Sequence, residues 1–395
     1  MISWTRLKRV QEMTIKEEQK QIKASVMEYL AAVSDPRIDR TRAHPLVNVL
    51  VIALLAVLCG ADSFAAIERF GNAKKELLAT FLDLESGIPS HDTFGRVFAA
   101  LDPTELQEAF RAWVASLVEV SKGEVVAIDG KTLRRSFRDA GNKAFVHMVS
   151  AWAAQNRVVL GQLKTDDKSN EITAIPKLLE LLNLKGATVT IDAMGCQRDI
   201  AAKIVSKDAD YMLSVKENQP TLLADVKAVF TAATERDDHD DIVDFAETTN
   251  TGHGRIETRR CLTCSELSEI SRPEDWPKLA TVVMVELERT TRDKTSVERR
   301  YFISSKKRLT AKTALATVRA HWGIENRLHW VLDMAFREDE CRVRAGNAAE
   351  NFAVLRHFTM NMLKNVKSKV GIKIRRQQAG WDDKFLLEVL FANPD

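Results

Sequence analysis

The order of strand-like and helix-like segments after Gly123 most constrains how this 395-residue chain folds. Short apolar runs there alternate with longer segments of helical periodicity. The strand-like runs are 124–129, 145–153, 157–164, 187–192 and 211–216, and helix-like segments begin near 173, 197 and 220. Three strands followed by helix, strand, helix, strand, helix predict a mixed α/β sheet. In that arrangement the first and fourth strands are parallel neighbours.

The flanking segments have a different texture. No strand signal precedes Gly123, so 1–120 are predicted to be an all-helical N-terminal domain. Its apolar run at 47–59 is shorter than the ~20 residues that a membrane span requires, and it predicts a buried helix. Strand-like runs at 242–249, 255–262, 281–290 and 299–304 predict a β-rich insertion at about 235–305, and helical texture resumes at 310.

Composition excludes several classes of protein. With 45% hydrophobic and 29% charged residues, the chain is neither disordered nor fibrous, and it is long enough for two or three domains. The net charge of +3 is mild, so nucleic-acid binding must rest on local basic clusters. Five cysteines and no secretory leader fit a reducing cytoplasm, with no membrane partner.

Three carboxylates stand in different local settings. Asp129 ends the first predicted strand, Asp192 ends the fourth, and Glu325 lies within the helical stretch 316–333. Open α/β sheets place their ligands at the carboxyl edge of the strands, and Mg²⁺ prefers oxygen ligands. Two such ions can support an in-line displacement at phosphorus. Taken singly, each Asp is better explained by the start of a turn, and Glu325 is equally well explained by a solvated or salt-bridged surface position.

Seven short sequence motifs favour the metal-site interpretation over turns and surface salt bridges. They are GIPSHDTF (87–94), AIDGKTLRRS (127–136), KSNEI (168–172), TIDAM (190–194), VKENQP (215–220), HGRIETR (253–259) and HWGIENRLHW (321–330). In this order they resemble the H-repeat-associated group of bacterial insertion-sequence DDE transposases. The resemblance extends from about residue 29 to 364.

The resemblance implies a ribonuclease-H-like catalytic domain at 121–365, interrupted by the β-rich insertion. This agrees with the strand order above. Asp129, Asp192 and Glu325 would be the catalytic triad and would bind Mg²⁺ or Mn²⁺, as two ions. Glu338 or Asp339 compete for the third place, and the motif favours Glu325. The implied activity is metal-dependent cleavage and strand transfer of an insertion sequence.

Basic and polar residues around the acids are candidate DNA contacts. They are Lys131, Arg134, Arg135, Lys216, Asn218, Arg255, Arg319, His321, Arg327 and Arg342. Related transposases carry a Tyr, an Arg and a Lys around the Glu, where this chain has Val318, His321 and Leu332, so His321, Arg319 and Arg327 are the expected substitutes. For any single Arg, a solvated surface position is an equal alternative.

Two further features bear on DNA. The basic C-terminal tail at 366–395 belongs to a stretch, 364–376, that has six basic residues and no acid, which predicts a DNA-tracking arm. Trp322 and Trp330 either pack in the core or stack on a base.

The expected partners are double-stranded DNA at inverted-repeat element ends and at target sites, bound by a homodimer or larger assembly at the bacterial nucleoid. The N-terminal domain is a candidate for binding the element ends. Two other functions stay open: a domesticated or inactive DNA-binding relative, and a ribonuclease-H-like DNA nuclease. Neither of them would transfer strands.

Overall fold

The structure, a computed structural model, describes residues 26–136, 145–165, 171–234, 243–252, 254–292 and 294–391. Parts of the predicted features lie outside these ranges. They are residues 1–25 of the N-terminal domain, 168–170 and 253 of the motifs, and the start of the β-rich segment.

Helices dominate the chain up to residue 117. They are α1 (Glu28–Ala31), α2 (Leu46–Leu58), α3 (Phe64–Ala73), α4 (Lys75–Leu78), α5 (His91–Ala100) and α6 (Pro103–Leu117). Side-chain oxygens of Ser63, Ser90 and Asp102 accept hydrogen bonds from backbone amides at the starts of α3, α5 and α6. Helix α2 is apolar on all sides and almost wholly buried, which confirms the predicted core helix.

The described strands form one mixed sheet. Their bounds are β1 (Val125–Leu133), β2 (Val146–Ala153), β3 (Val158–Lys164), β4 (Thr188–Ile191), β5 (Asp210–Val215), β6 (Val243–Gly252), β7 (Arg255–Cys264), β8 (Thr281–Thr291) and β9 (Lys294–Ser304). The order is β3-β2-β1-β4-β5-β9-β8-β7-β6. Strand β4 is parallel to β1 on one side and to β5 on the other. The predicted parallel pairing of the first and fourth strands is therefore confirmed.

The four strands of the predicted β-rich segment continue this sheet. Strand β9 pairs antiparallel with β5, and β8, β7 and β6 follow by antiparallel pairing. Arg260 in β7 bonds Glu247, Glu286 and Glu288 on the neighbouring strands. The β-rich segment is therefore joined to the α/β part by backbone hydrogen bonds as well as by chain connectivity.

Helices flank the sheet and join it to the N-terminal part. They are α7 (Glu171–Glu180), α8 (Arg198–Ser206), α9 (Pro220–Thr234), α10 (Ala311–His321), α11 (Trp330–Phe336), α12 (Ala348–Asn365), α13 (Ile372–Trp381) and α14 (Asp383–Phe391). Helix α10 contacts β1 and β4, whereas α12 contacts α2, α5, α6 and β3. Because α12 is buried along nearly its whole length, the N-terminal helices and the sheet share one hydrophobic core.

The C-terminal segment is folded against this core, which corrects the expectation of a free basic arm. The guanidinium group of Arg376 donates to the carbonyls of Val57 and Ala335, and that of Arg375 donates to four backbone carbonyls. The ammonium group of Lys364 lies over the ring of Trp152 and donates to the carbonyl of Arg327 at 3.1 Å. Half of the six basic residues therefore serve packing. No helix among the described residues is long and apolar enough to cross a membrane.

Candidate active site

The first carboxylate, Asp129, lies within a strand rather than at its end. The parallel ladder between β1 and β4 ends at the pair Ile128 and Ile191, but β1 pairs with β2 as far as Leu133. The prediction that Asp129 ends its strand is therefore wrong, because the antiparallel partner extends β1 beyond the point where β4 leaves it. Asp129 is the first residue after the last parallel pair.

Asp192 holds the same register position on the neighbouring strand. It follows β4 directly, and its Oδ1 accepts hydrogen bonds from the backbone amides of Met194 (3.1 Å) and Gly195 (3.3 Å). These bonds turn the chain away from the sheet and fix the carboxylate at its edge. The two aspartates, far apart in sequence, therefore meet where β1 and β4 separate.

Glu325 begins a π-helical turn, Glu325–His329, between α10 and α11. Such turns are rare and occur often at functional sites. The turn also carries His329, whose Nδ1 lies 3.4 Å from Asp129 Oδ2. The other ring nitrogen of His329 is buried and has no hydrogen-bond partner among the described residues. The helical segment is thus in direct contact with the first strand.

These three carboxylates line one cavity of about 220 Å³. Lys216, Arg300, His321 and Trp322 are among the other residues that line it. The cavity opens between the carboxyl edge of the parallel strands and the start of the π-helical turn. The structure therefore brings together all three acids selected by the sequence, and two of the ten predicted DNA contacts with them.

Negative charge in the cavity is only partly compensated. Burial raises the pKa of Glu325, and the charges of Asp129 and Asp192 raise it further. Burial also raises the pKa of Asp192, where Glu171 and Asp129 act in the same direction and the two amide hydrogen bonds oppose them. Within the described chain, no Lys or Arg lies at ion-pair distance from the three acids. Carboxylates that line one cavity without a Lys or Arg partner match the oxygen-donor chemistry of a divalent cation.

The acids surround the cavity without being gathered around one point. Among the described residues, no three His, Cys, Asp or Glu side chains are close enough together to hold a single ion. Burial is the main cause of the raised pKa values of Asp192 and Glu325, and the charges of the neighbouring carboxylates add to it. Three carboxylates are the type of ligand that Mg²⁺ and Mn²⁺ prefer, but in this structure their oxygens do not converge on a single ion position.

The basic residues predicted to contact DNA divide into two groups. Lys216 and His321 line the cavity, and the ring of His321 is hydrogen-bonded to Thr190 at 3.0 Å. Burial lowers the pKa of His321, so the ring is neutral near pH 7. Away from the cavity lining, the exposed residues are Arg134, Arg135, Arg255, Arg319, Arg327 and Arg342. The side chain of Asn218 braces the loop beside Asp192 by donating to the carbonyl of Ala193.

Lys131 is engaged in ion pairs in this structure, and its assignment as a DNA contact stays a prediction. Its ammonium group bonds Asp333 and lies 2.7 Å from Glu338 Oε2. Glu338 is buried and also lies 3.4 Å from the guanidinium of Arg356, and Asp339 lies 3.2 Å from Arg134. Both rivals of Glu325 are therefore engaged in ion pairs outside the cavity.

Three neighbours of the site were assigned no role from the sequence: Arg300, Glu171 and His329. Arg300 of β9 lines the cavity with its guanidinium 4.7 Å from the ring of Trp322. Among the neighbouring charges, that of Glu171 at the start of α7 raises the pKa of Asp192 most. The Glu171 carboxylate is hydrogen-bonded to the ring of His147 at 2.7 Å. Glu171 was already present in the KSNEI motif, and His329 in the HWGIENRLHW motif. No local pattern marks Arg300, because only the β5–β9 pairing brings it to the cavity.

Comparison with known proteins defines the class. The family described as "Transposase DDE domain" matches residues 120–362, and the one described as "DDE_Tnp_1-associated" matches 27–114. The chain therefore belongs to the DDE transposase family. It is 40% identical over 371 residues to "Putative transposase YncI" of Escherichia coli O157:H7, which covers 93% of this chain and 94% of that protein.

The H-repeat-associated group is represented among the relatives, as the motifs indicated. The chain is 37% identical over 371 residues to "H repeat-associated putative transposase YhhI" of Escherichia coli, covering 92% of this chain and 97% of the relative. A solved structure, that of a piggyBac transposase synaptic complex with hairpin DNA, aligns at 9% identity and a TM-score of 0.43 over 95% of this chain and 79% of that one. Similarity at that level supports no conclusion.

Proposed function

We propose that this transposase cleaves one DNA strand at the end of an insertion sequence and joins the freed end to target DNA. Asp129, Asp192 and Glu325 are its catalytic and metal-binding triad. The observation that carries the proposal is the single cavity lined by these three acids where the parallel strands separate. The sheet order β3-β2-β1-β4-β5 supports the part of the proposal that assigns a ribonuclease-H-like catalytic domain.

Divalent ions, Mg²⁺ or Mn²⁺ and two in number, would be held by the three carboxylates and would supply Lewis-acid stabilisation of the charge that develops at phosphorus. The chain's own residues position the substrate. Lys216 and Arg300 stand on the cavity wall as phosphate contacts. Arg300 is steadied by the Trp322 ring and by Glu298, whose Oε1 accepts from its Nε at 2.8 Å.

His321 and His329 have supporting parts in this proposal. Burial keeps His321 neutral, so it fixes the helix to Thr190 of β4 without adding charge. His329 contacts Asp129 and holds the π-helical turn against β1. Arg300 on β9 therefore supplies the positive charge that related transposases provide through an Arg and a Lys near the catalytic Glu.

The larger organisation follows from the same proposal. The helices before residue 120 bind the element ends, the catalytic domain occupies 121–365, and a dimer or larger assembly holds two ends together on double-stranded DNA at the nucleoid. Support comes from the separate family match of residues 27–114, which ends before the sheet begins.

A strand-transfer assay tests the proposal. The substrate is a duplex that carries the terminal inverted repeat, incubated with Mg²⁺, with Mn²⁺ or with chelator. Asp129→Asn, Asp192→Asn and Glu325→Gln are each expected to reduce cleavage on the order of a thousandfold, since each removes several kcal/mol of charge stabilisation. Binding to the repeat in chelator should be retained.

The matched control is Glu388→Gln, which removes an exposed acid from α14 and should cleave like the unaltered protein. Cleavage without joining would instead identify a nuclease. Metal-independent binding with no cleavage by any form would identify a DNA-binding relative. Either result would overturn the transposase mechanism.

A further inference from the structure

A second and larger cavity, of about 540 Å³, lies on the same helical segment as Glu325. Arg327 and Trp330 line it, only two and five residues beyond Glu325. Lys364 lies inside it, and Arg157 and Lys373 are exposed at its rim. We call this cavity the Trp330 groove. Among the described residues, the Trp330 groove shares no lining residue with the cavity of the three carboxylates.

The charged residues that line the groove are all basic. Five of its lining residues are basic and none is acidic, as far as the described residues go. Burial lowers the pKa of Lys364 to about 6, and the neighbouring positive charges of Arg327, Arg157 and Arg375 lower it further. Lys364 is therefore largely neutral near pH 7 and Arg375 is bonded to four backbone carbonyls, so Arg157, Arg327 and Lys373 carry the available positive charge of the groove. The groove therefore complements a polyanion.

The exposed apolar side chains of the groove indicate which kind of polyanion it binds. Trp330 is 60% exposed and Met334 is 56% exposed, both on one turn of α11. The alternative that Trp330 packs in the core is therefore excluded. An exposed indole beside several cations is the combination by which proteins hold single-stranded nucleic acid, with bases on the ring and phosphates on the cations. A duplex keeps its bases stacked on each other and leaves the indole unused.

We propose that the Trp330 groove binds a single DNA strand that runs on from the cleavage cavity, with a base stacked on Trp330 and phosphates on Arg157, Arg327 and Lys373. The inference rests on the proposed function for its substrate class. Trp330 directly follows the π-helical turn that begins at Glu325, so only a short length of strand separates the cleavage cavity from the indole. Opening of the duplex next to the cut would therefore be stabilised by the protein itself.

The test measures binding rather than catalysis, so it is independent of cleavage. Full-length protein in chelator is titrated against fluorescein-labelled oligonucleotides of equal length: a thymidine single strand, an abasic single strand and a duplex. The variants are Trp330→Ala and Lys373→Gln. Their controls are Trp381→Ala and Lys384→Gln, which remove an exposed tryptophan and an exposed lysine outside the groove.

Trp330→Ala is expected to weaken thymidine-strand binding by roughly ten- to one-hundredfold and to leave duplex and abasic binding nearly unchanged. Lys373→Gln should make the dependence of log K on log salt shallower by about 0.7 for the single strand. The two control variants should match the unaltered protein.

The inference is overturned if Trp330→Ala behaves like Trp381→Ala, or if duplex binding falls as much as single-strand binding. It is also overturned if the unaltered protein does not bind the single strand. Failure of the proposed function looks different: cleavage is absent with Mg²⁺ while the binding differences remain.

Discussion

Replacing Lys131 with methionine is expected to destabilise the fold rather than to weaken DNA binding. The Lys131 ammonium lies 2.7 Å from Glu338 Oε2, and the Glu338 side chain is 2% exposed. Removing one partner of a buried ion pair leaves a charge without compensation and typically costs about 3–5 kcal/mol. Because Arg356 still lies 3.4 Å from Glu338, we expect about 3 kcal/mol, the lower end of that range.

The pH dependence of this effect has a definite sign. Burial by itself would raise the pKa of Glu338, but Lys131 and Arg356 hold it at about 2, below the ordinary 4.5. Ionised Glu338 therefore contributes stability that is fully present above about pH 4.5 and is lost as pH falls toward 2. Lys131→Met removes most of that contribution. The difference between variant and unaltered protein should shrink as pH falls through this window.

Urea unfolding followed by tryptophan fluorescence at pH 7, 5 and 3.5 measures the free energies. The control is Arg134→Ala, because the Arg134 side chain is 77% exposed and its pairing with Asp339 is a surface one worth under about 1 kcal/mol. The reasoning is refuted if Lys131→Met unfolds within about 1 kcal/mol of the unaltered protein. It is refuted most directly if the same variant loses affinity for DNA.

Two further changes test the packing around the site and the core. A Cβ at residue 130 would clash with the carboxylate of Glu171 and with the His147 ring that is bonded to it, so Gly130→Ala should cost about 1–3 kcal/mol in thermal melts, whereas Gly252→Ala, with nothing within 4 Å, should be neutral. Burial lowers the pKa of His357 from 6.5 to about 3, so below pH 6.5 the unfolded chain takes up a proton that folded His357 refuses. Stability should therefore fall by up to about 1.4 kcal/mol per pH unit between pH 6.5 and 5. Urea melts at several pH values should show a smaller slope for His357→Phe; equal slopes would rule out this explanation.

The arrangement of the α/β core was predictable because it is set by local pattern. Apolar runs of strand length, separated by amphipathic helices, gave the parallel pairing of β1 with β4. That pairing predicts Asp129 and Asp192 side by side, and both line the cavity. Glu325 required its motif, because a single Glu within a helix has no pattern of its own.

The partners of the charged side chains were not predictable in the same way. Lys131 and Lys216 are both basic residues within the family motifs, yet one is bound to Asp333 and Glu338 and the other lines the cavity. A sequence states that a charge exists but not which distant element will lie against it.

By itself, then, the sequence determined the parallel pairing of β1 with β4 and the buried helix α2, and it singled out the three carboxylates that line the cavity, since periodicity and motif are properties of neighbouring residues. Tertiary structure alone decided which cations remain available. It brought Arg300 to the cavity through the pairing of β5 with β9, and it folded Arg376 into the core through contact with α2. The physical reason is that ion pairing depends on distances between segments that the chain brings together only when it folds.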